Sequence, residues 1–370
     1  MKHIIVIGAL PESIINFRGK LINALVANQY KVTAMAALSK PAIISSLASM
    51  QVGFKPFPVQ RNGLNPRTDL KTLFSLRKDF YNLKPDVILA YTIKPIIWGG
   101  LASRVAPNAR FYALVTGLGF AFQEGTTARK LLSRLVSALY RISLRRATKV
   151  IFQNPDNLNA LISRGIVPSA KCVLVNGSGV DIERFDFTPL PDGEITFLSI
   201  GRLLGEKGFR EYAQAAKIVK KKYPDTVFQL LGPQDPSPDG ISDVEVESWD
   251  RQGWLEYLGS TSEVRPYLKR CHVYVLPSYH EGMPRTVLEA MAIGRPILTT
   301  DVPGCRETVT PGENGFLVPK EDAPALAERL IWFIENRDQW GRMGKRSREI
   351  AEEKFDVHKV NERLLEIMEL

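Results

Sequence analysis

Two acidic residues separated by seven others mark a possible ligand site. Glu281 and Glu289 enclose the sequence GMPRTVL and follow the apolar run HVYVLPS, which is typical of a buried strand. Pro284 suits the first turn of a helix that Gly294 would end, so we expect Glu281 in a strand-to-helix loop and Glu289 within the helix. The N–H groups at such a helix end could bind a phosphate or a sugar hydroxyl, and here they belong to Gly282, Met283, Arg285 and Thr286. Taken alone, the spacing is more typical of a cap and a solvated glutamate, because it is common by chance.

A second segment that could bind phosphate lies at residues 201–208, with the sequence GRLLGEKG. It follows an apolar run and precedes an amphipathic helical pattern. Its glycines let the backbone approach a ligand closely, Arg202 can hold two phosphate oxygens at once, and Lys207 adds a point charge. A solvated turn is the alternative interpretation of this segment.

The elements that would position these residues alternate between strand and helix patterns. In the first half, apolar runs such as HIIVIGA, KVTAMAA, DVILAY and FYALVT are separated by helical segments, and the same rhythm restarts at Glu194. Such runs are typical of parallel sheets covered on both faces, which bind ligands outside the carboxyl ends of the strands. We therefore predict an α/β chain with two doubly wound sheets facing one another. Its candidate ligand loops follow Ile7, Tyr91 and Thr116.

The 370 residues suffice for two domains, and a break in composition separates them. Residues 175–192 are rich in glycine, proline and polar side chains and lie between two periodic regions. We therefore place one domain at residues 1–187 and the other at 188–354. The final segment, 355–370, is predicted to be a helix that packs back on the first domain.

Composition argues against several classes of protein. The chain is 45% hydrophobic and 24% charged, close to ordinary globular usage, which disfavours disorder and collagen-like repeats. No apolar run is long enough to cross a membrane, and the first residues do not form a secretory signal pattern. Cys172, Cys271 and Cys305 are widely spaced, so we expect neither a disulfide framework nor a structural zinc site. These features favour a reducing cytoplasm.

Charge divides unevenly along the chain. Residues 1–190 hold 25 Lys and Arg against 9 Asp and Glu, a net +16, whereas residues 191–370 hold 24 against 30, a net −6. A strongly basic half is typical of a protein that meets an anionic partner. Charge alone leaves nucleic acid, a membrane surface and a phosphorylated ligand open.

The most basic segment runs from Thr127 to Lys149 and has no acidic residue. Its leucines, Val136 and Ile142 recur at helical spacing and predict one apolar face. One alternative is a helix that packs on its sheet with a solvated outer face. The other is a peripheral contact with anionic lipid headgroups. The seven residues predicted to make that contact are Arg129, Lys130, Arg134, Arg141, Arg145, Arg146 and Lys149.

The second half resembles a known enzyme family. The glycine-rich segment with Arg202 and Lys207, the motif from Glu281 to Glu289, and the sequence GRPILTTDVPGCRETVTPGENGFLV at residues 294–318 are similar, in the same order, to retaining glycosyltransferases of family 4 with the GT-B fold. The resemblance spans most of the second domain. It implies two Rossmann-like domains around a central cleft that holds a nucleotide-sugar, transfer with retention of the anomeric configuration, and no requirement for a metal or other cofactor.

The resemblance also implies roles for the motif residues. Arg202 and Lys207 would hold the donor diphosphate, Glu289 would accept hydrogen bonds from the ribose, and Glu281 would contact the transferred sugar. Cleavage of the anomeric bond leaves negative charge on a nucleoside diphosphate, which cations and helix N–H groups stabilise. The donor would be lined further by Gly282, Met283, Pro284 and Thr286.

The first half is similar to a narrower group of that family, on the segments NFRGKL, LAYTIKPIIWGG and ALVTGLGFAF. That group extends lipid-diphosphate-linked sugars in bacterial capsule, O-antigen or glycoprotein glycan assembly. Many family members carry a histidine after the fourth strand, where this chain has Thr92 and Lys94 in the expected loop, so the departing phosphate is the favoured proton acceptor. For Arg18 and Lys94, solvated surface charge is the alternative. The residues expected to position the acceptor or its phosphate are Asn16, Arg18, Thr92, Lys94, Gly117 and Gly119.

Together with the resemblance, these observations predict a metal-independent enzyme that moves a sugar from a UDP-sugar to a polyprenyl-diphosphate-linked saccharide, with an N-acetylhexosamine suggested as the sugar. It would work in the bacterial cytoplasm, at the inner face of the cytoplasmic membrane. A nucleotide-sugar epimerase or a phosphorylase of the same fold is an alternative. A non-catalytic nucleic-acid-binding protein is another, although no nucleic-acid-binding module is recognisable. The predicted catalytic residues are Glu281, Lys207, Arg202 and Lys94.

Overall fold

The computed structural model describes residues 1–60, 65–118, 122 and 127–370. The chain forms two compact units. The first comprises Met1–Ser178 and Val360–Leu370, and the second comprises Gly179–Lys359. Both are α/β units built on parallel sheets, as the sequence predicts.

The sheet of the first unit has seven strands within the described residues. These strands are β1 (His3–Ile7), β2 (Lys31–Ala36), β3 (Gly53–Pro56), β4 (Val87–Tyr91), β5 (Arg110–Val115), β6 (Ala147–Phe152) and β7 (Cys172–Leu174). Their order is β3-β2-β1-β4-β5-β6-β7, so the winding direction reverses between the neighbours β1 and β4. Both of these central strands are buried along their whole length, which explains their continuous apolar sequences.

Helices cover both faces of this sheet. Those in its described part are α1 (Pro11–Ala27), α2 (Pro41–Ser49), α3 (Pro66–Leu83), α4 (Ile93–Ala102), α5 (Thr127–Leu144) and α6 (Pro155–Ser163). Proline begins α1, α2, α3 and α6, at a position where its missing N–H has no intrahelical partner to lose. One apolar core contains side chains of α3, α4 and α5, and another, on the opposite face, contains side chains of α1 and α2.

The second unit is described throughout. Its strands are β8 (Thr196–Ile200), β9 (Val227–Leu231), β10 (Glu256–Tyr257), β11 (Val273–Leu276), β12 (Ile297–Thr300) and β13 (Gly315–Val318). They lie in the order β10-β9-β8-β11-β12-β13, and the winding direction reverses between β8 and β11. The helices from this point to the end of the chain are α7 (Phe209–Lys220), α8 (Asp243–Arg251), α9 (Arg265–Arg270), α10 (Arg285–Ile293), α11 (Ala323–Glu335), α12 (Trp340–Ile350) and α13 (Val357–Met368).

The chain passes between the units after Ser178 and after Lys359. The boundaries predicted from the sequence, after residues 187 and 354, differ from these positions. The segment that follows Ser178 belongs to the second unit because Val180 and Phe185 are buried in its core. The amide of Val180 donates to the carbonyl of Phe355 at 2.7 Å. That hydrogen bond also keeps the segment before the last helix with the second unit.

The last helix, α13, begins at Val357 and returns the chain to the first unit. Val360, Leu364 and Met368 are buried in the core of that unit. The hydroxyl of Tyr112 donates to the carbonyl of Met368 at 3.2 Å. The residues after Lys359 therefore complete a core whose other side chains come from the first half of the chain.

Candidate active site

The candidate donor residues lie where the sheet of the second unit reverses its winding direction. β8 and β11 are parallel neighbours, with Tyr274 paired to Leu198. The loop after β8 holds Lys207, and the loop after β11 holds Glu281. Open parallel sheets bind ligands outside the carboxyl ends of such a strand pair.

Lys207 and Glu281 form an ion pair that joins these two loops. The Nζ of Lys207 donates to the Oε1 of Glu281, and only 16% and 14% of the two side chains are exposed. Water screens such a sheltered pair less than a surface pair. The backbone N–H of Glu281 also donates to the carbonyl of Pro303 at 3.1 Å. The site thus holds together a cation suited to phosphate and a carboxylate suited to a sugar hydroxyl.

Two glycines beside this ion pair are required by the backbone. Gly208 has a φ of +71°, and a Cβ there would lie 2.0 Å from the carbonyl oxygen of Pro277. Gly304 has a φ of +85°, and a Cβ there would lie 2.6 Å from the carbonyl oxygen of Glu281. A side chain at either position would push the neighbouring loop away.

Arg202 lies at the same edge of the sheet and pairs with an acid that the sequence analysis did not identify. Its Nη1 donates to the Oδ2 of Asp235, in the loop after β9. Burial alone would raise the pKa of Asp235, but hydrogen bonds to Ser237 and the charge of Arg202 outweigh burial and lower this pKa below its ordinary value. Asp235 stands in the polar segment PQDPSPDG, whose composition signals only a loop.

Glu289 is a buried carboxyl group in the second turn of α10. The Nε of Arg285 donates to its Oε1 at 2.9 Å. Burial raises the pKa of Glu289, and the opposing effect of Arg285 is smaller. A buried acid of this kind contradicts the alternative of a solvated helix residue.

The helices α7 and α10, which follow the loops of Lys207 and Glu281, begin without side-chain caps. Pro284 is the N-cap of α10 and Gly208 that of α7, and neither makes a side-chain hydrogen bond to the helix. By contrast, Ser242 caps α8 and Asp322 caps α11 through their side-chain oxygens. The partial positive charge of a helix N-terminus favours an anion. The ends of α7 and α10 are therefore suited to the same ligand as Arg202.

The remaining donor candidates differ in their surroundings. The hydroxyl of Thr286 donates to the carbonyl of Ile200 at 3.4 Å, which ties α10 to the end of β8. Met283 packs against the apolar core of the second unit. Gly282 is half-buried in the loop before α10.

In the first unit, Arg18 and Tyr91 lie at the reversal between β1 and β4. Arg18, on α1, is buried, and its guanidinium carbon lies 5.2 Å from the centre of the Tyr91 ring. The hydroxyls of Tyr91 and Ser13 are 2.8 Å apart. Burial raises the pKa of Tyr91 to about 12, so this phenol keeps its proton at neutral pH. Arg18 is therefore a buried cation and not the solvated surface charge that was the alternative.

Thr92, directly after β4, combines backbone strain with an unsatisfied hydroxyl. It is the N-cap of α4, with a φ of 67° and a ψ of 161°, a region that residues other than glycine rarely adopt. Its Oγ1 is buried and has no hydrogen-bond partner among the described residues. Strained residues and orphaned polar groups are concentrated at functional sites. Thr92 is thus a strong candidate for contact with a polar ligand.

The other predicted acceptor residues are more scattered. Lys94 lies in the first turn of α4, not in the loop that the sequence predicts, and its Nζ is 2.7 Å from the Oδ1 of Asp69 on α3. Gly117 follows β5 with a φ of +155°. Asn16 is exposed on α1. Gly119 lies outside the described residues.

The basic run from Thr127 to Lys149 forms α5 and the start of β6, so the predicted single basic helix ends early. It also lacks the single apolar face that the sequence predicts, because Val136 is buried whereas Leu131, Leu135 and Ile142 are exposed. Lys149 lies half-buried in β6, and the side chain of Arg129 lies outside the described structure. The predicted membrane-contact residues that are exposed are Lys130, Arg134, Arg141, Arg145 and Arg146.

Within the described ranges, no helix is both long enough and apolar enough to span a bilayer.

Two family models match this chain, one in each unit. Residues 181–350 match the family described as Glycosyl transferases group 1. Residues 14–154 match the family described as Glycosyl transferase 4-like. The first of these matches includes every donor candidate of the second unit.

Relatives span most of the chain. An uncharacterized glycosyltransferase of Haemophilus influenzae is 30% identical over 353 residues, which cover 88% of this chain and 91% of the relative. The N,N'-diacetylbacillosaminyl-diphospho-undecaprenol alpha-1,3-N-acetylgalactosaminyltransferase of Campylobacter jejuni is 28% identical over 337 residues, which cover 88% of this chain and 87% of the relative. Among solved structures, HepE of Anabaena in complex with UDP-glucose shares the fold, with a TM-score of 0.81 at 17% identity over 100% of both chains. The two family models place a 4-like domain before a group 1 domain. As its sequence motifs predict, the chain therefore belongs to the glycosyltransferases of the GT-B fold.

Proposed function

We propose that this protein is a retaining family 4 glycosyltransferase that moves a sugar from a UDP-sugar to a polyprenyl-diphosphate-linked saccharide in bacterial surface polysaccharide or glycan assembly. The proposal depends above all on two ion pairs at the carboxyl ends of β8, β9 and β11. One joins Lys207 to Glu281, and the other joins Arg202 to Asp235. The Campylobacter relative is named for a diphospho-undecaprenol-linked acceptor and an N-acetylhexosamine, which supports the acceptor class and the suggested sugar. HepE, of the same fold, was solved with UDP-glucose, in keeping with a UDP-sugar donor.

The donor diphosphate would bind Arg202 and Lys207, and the N-termini of α7 and α10 would add their partial positive charge. A phosphate that binds Lys207 competes with Glu281 for the ammonium group, so the carboxylate becomes available to hydroxyls of the transferred sugar. Glu289 would accept hydrogen bonds from the ribose. Gly282, Met283, Pro284 and Thr286 would line the sugar and the phosphates.

The transfer breaks the bond between the anomeric carbon and the diphosphate oxygen and forms a bond from that carbon to the acceptor oxygen. The acceptor hydroxyl gives its proton to the departing phosphate. Arg202 and Lys207 stabilise the negative charge that develops on this phosphate. The chain's own cations supply that charge, so the proposal includes no metal or other cofactor.

The acceptor would bind the first unit. Arg18 and Lys94 provide positive charge for its diphosphate, and the orphaned hydroxyl of Thr92 provides a hydrogen-bonding group beside them. The exposed basic residues of α5 would attract this unit to the anionic inner face of the cytoplasmic membrane, where such an acceptor is held.

The proposal is tested by release of nucleoside diphosphate from UDP-, GDP- and ADP-sugars, each with and without a polyprenyl-diphosphate-linked sugar. We expect release that depends on the acceptor with one UDP-sugar, and a product with the anomeric configuration of the donor. Lys222→Ala is a matched control, because Lys222 is an exposed lysine paired with Glu335 away from these loops, and it should keep the wild-type rate. The absence of both release and nucleotide binding would contradict the proposal. Turnover of a nucleotide-sugar alone would indicate the epimerase, which the names of the relatives do not favour.

A further inference from the structure

Two helices of the first unit carry apolar side chains that face solvent. Phe74 on α3 is 63% exposed and Leu131 on α5 is 68% exposed. On each helix the exposed apolar residues follow the spacing i, i+4, i+11, which forms one stripe along a helix surface. The two stripes consist of Leu70, Phe74 and Tyr81 on α3 and of Leu131, Leu135 and Ile142 on α5.

Both stripes belong to one side of the sheet. α4 packs between α3 and α5, and the three helices share one apolar core through Leu76, Ile96 and Tyr140. Because the inner faces of α3 and α5 are buried against the same sheet, their outer faces point away from it in the same direction. We call the surface formed by the six exposed apolar residues the α3–α5 face.

Positive charge surrounds the α3–α5 face. The sequence of α5 contains no acid, and both acids of α3 are engaged. Asp69 pairs with Lys94 and Asp79 pairs with Lys55, each at 2.7 Å. The exposed charges of the two helices are therefore all of one sign, and they belong to Arg67, Lys71, Arg77, Lys78, Lys130, Arg134 and Arg141.

We propose that the α3–α5 face docks on an anionic lipid bilayer, with its apolar stripes in the headgroup region and its Lys and Arg side chains on the lipid phosphates. Exposed leucine and aromatic side chains beside cations are the chemistry of helices that lie in a membrane interface. A purely electrostatic contact would need the cations alone. The inference rests on the proposed function, which requires a lipid-linked acceptor, and it adds α3 and an inserted apolar surface to the basic residues of α5.

The test is binding to vesicles of phosphatidylglycerol and phosphatidylcholine, compared with vesicles of phosphatidylcholine alone. The double variant Phe74→Gln, Leu135→Gln changes two exposed side chains and should fold normally. High salt screens the electrostatic attraction. Under that condition, the partition coefficient of the variant into anionic vesicles should be about ten-fold or more below that of the wild type, because two apolar side chains no longer leave water. Val244→Gln is the matched control, since Val244 is an apolar residue 71% exposed on α8 of the second unit, and it should bind as the wild type does.

A second variant, Arg77→Glu with Lys78→Glu, tests the charges of α3. It should lose binding to anionic vesicles in low salt and change little with neutral vesicles. Unchanged vesicle binding in both variants would overturn the proposal. If vesicle binding is unchanged and the variants have a lower molar mass in light scattering than the wild type, a second copy of the chain covers this face instead.

A transfer assay separates this inference from the proposed function. With a short-chain, water-soluble prenyl-diphosphate-linked sugar, the Phe74→Gln, Leu135→Gln variant should keep the wild-type rate. With a polyprenyl acceptor in anionic vesicles, its rate should fall in proportion to its vesicle binding. If the wild type transferred sugar to neither acceptor, the proposed function would fail, and vesicle binding alone would still decide for or against docking.

Discussion

The two sheets reverse their winding direction at equivalent strand pairs, but the side chains at the two reversals differ. In the second unit, the charged side chains near the reversal at β8 and β11 form ion pairs. The pairs are Lys207 with Glu281, Arg202 with Asp235 and Arg285 with Glu289. At β1 and β4, the guanidinium of Arg18 lies over the ring of Tyr91, and Thr92 holds a buried hydroxyl without a partner in the described structure.

This difference indicates how each reversal would respond to a ligand. If a phosphate binds as proposed, the paired charges at β8 and β11 would exchange partners, and the cations would be neutralised both before and after binding. A buried hydroxyl without a partner can gain a hydrogen bond from a ligand, so binding of the proposed acceptor would satisfy the hydroxyl of Thr92. We therefore expect changes in the second unit to alter donor affinity and changes in the first unit to alter the acceptor KM.

The largest effect is expected from Lys207→Ala. In the proposed mechanism this change removes a cation from the phosphate that carries the developing charge, so kcat/KM should fall about 10²- to 10³-fold, and donor affinity measured by calorimetry should fall as well. Thermal unfolding should show a folded protein, and Lys222→Ala should behave as the wild type. Wild-type donor affinity in Lys207→Ala would refute the assignment of this ion pair to the donor.

Glu289→Gln should lower donor affinity at neutral pH by about ten-fold, because the proposed hydrogen bond from the ribose would then end on a neutral amide oxygen and no longer on a charged carboxylate. Burial raises the pKa of Glu289, so on acidification this carboxylate takes up its proton at a higher pH than an ordinary glutamate does. Wild-type affinity for the nucleoside diphosphate should therefore decrease as the pH falls through that raised pKa. The measurement is the affinity of the wild type and of Glu289→Gln for the nucleoside diphosphate as a function of pH. If Glu289→Gln kept the pH dependence of the wild type, a group other than Glu289 would be responsible for it.

Thr92→Gly should raise the acceptor KM several-fold and leave donor affinity unchanged. It should also relieve backbone strain of about 1–3 kcal/mol, which offsets the usual cost of glycine of about 0.5–1 kcal/mol. The free energy of unfolding, measured with urea, should stay level or rise. Thr92→Ser keeps the hydroxyl and should keep the acceptor KM near that of the wild type. A clear decrease in the free energy of unfolding of Thr92→Gly would contradict the inference that Thr92 has a strained backbone.

The smallest effect is expected from Asp69→Asn, which removes the acidic partner of Lys94. Asn keeps a carbonyl oxygen that can accept a hydrogen bond from Lys94 but removes the opposing charge, so the ammonium group is only partly released and the acceptor KM should fall by about two- to five-fold. Asp79→Asn breaks the other ion pair of α3 and should leave this KM unchanged. A change in donor affinity instead would contradict the division of roles between the two reversals.

Local signals in the sequence predicted the secondary structure of the segment from Glu281 to Gly294 well. Pro284 and Gly294 predicted the two ends of one helix, and α10 runs from Arg285 to Ile293, with Gly294 in the left-handed conformation that glycine favours. The apolar runs predicted strands because both faces of these sheets are covered. These signals act within a few residues, so the sequence alone suffices to place Glu281 in a loop and Glu289 in a helix.

Partners and orientation were harder to predict, because they depend on contacts between distant segments. Asp235 meets Arg202 only because β9 lies beside β8, and Asp69 meets Lys94 only because α3 lies beside α4. On α5, periodicity identified the apolar residues but not which of them face the sheet. Val136 does so and Leu135 does not, and only the position of the sheet decides between them.

The return of α13 to the first unit has a consequence for folding during synthesis. The ribosome makes the whole of the second unit before it makes Val360, Leu364 and Met368, which complete the core of the first unit. The second unit is continuous in sequence and can fold as soon as it has emerged. The first unit, although translated earlier, keeps an open apolar surface until α13 arrives, which reverses the usual order in which N-terminal domains mature first.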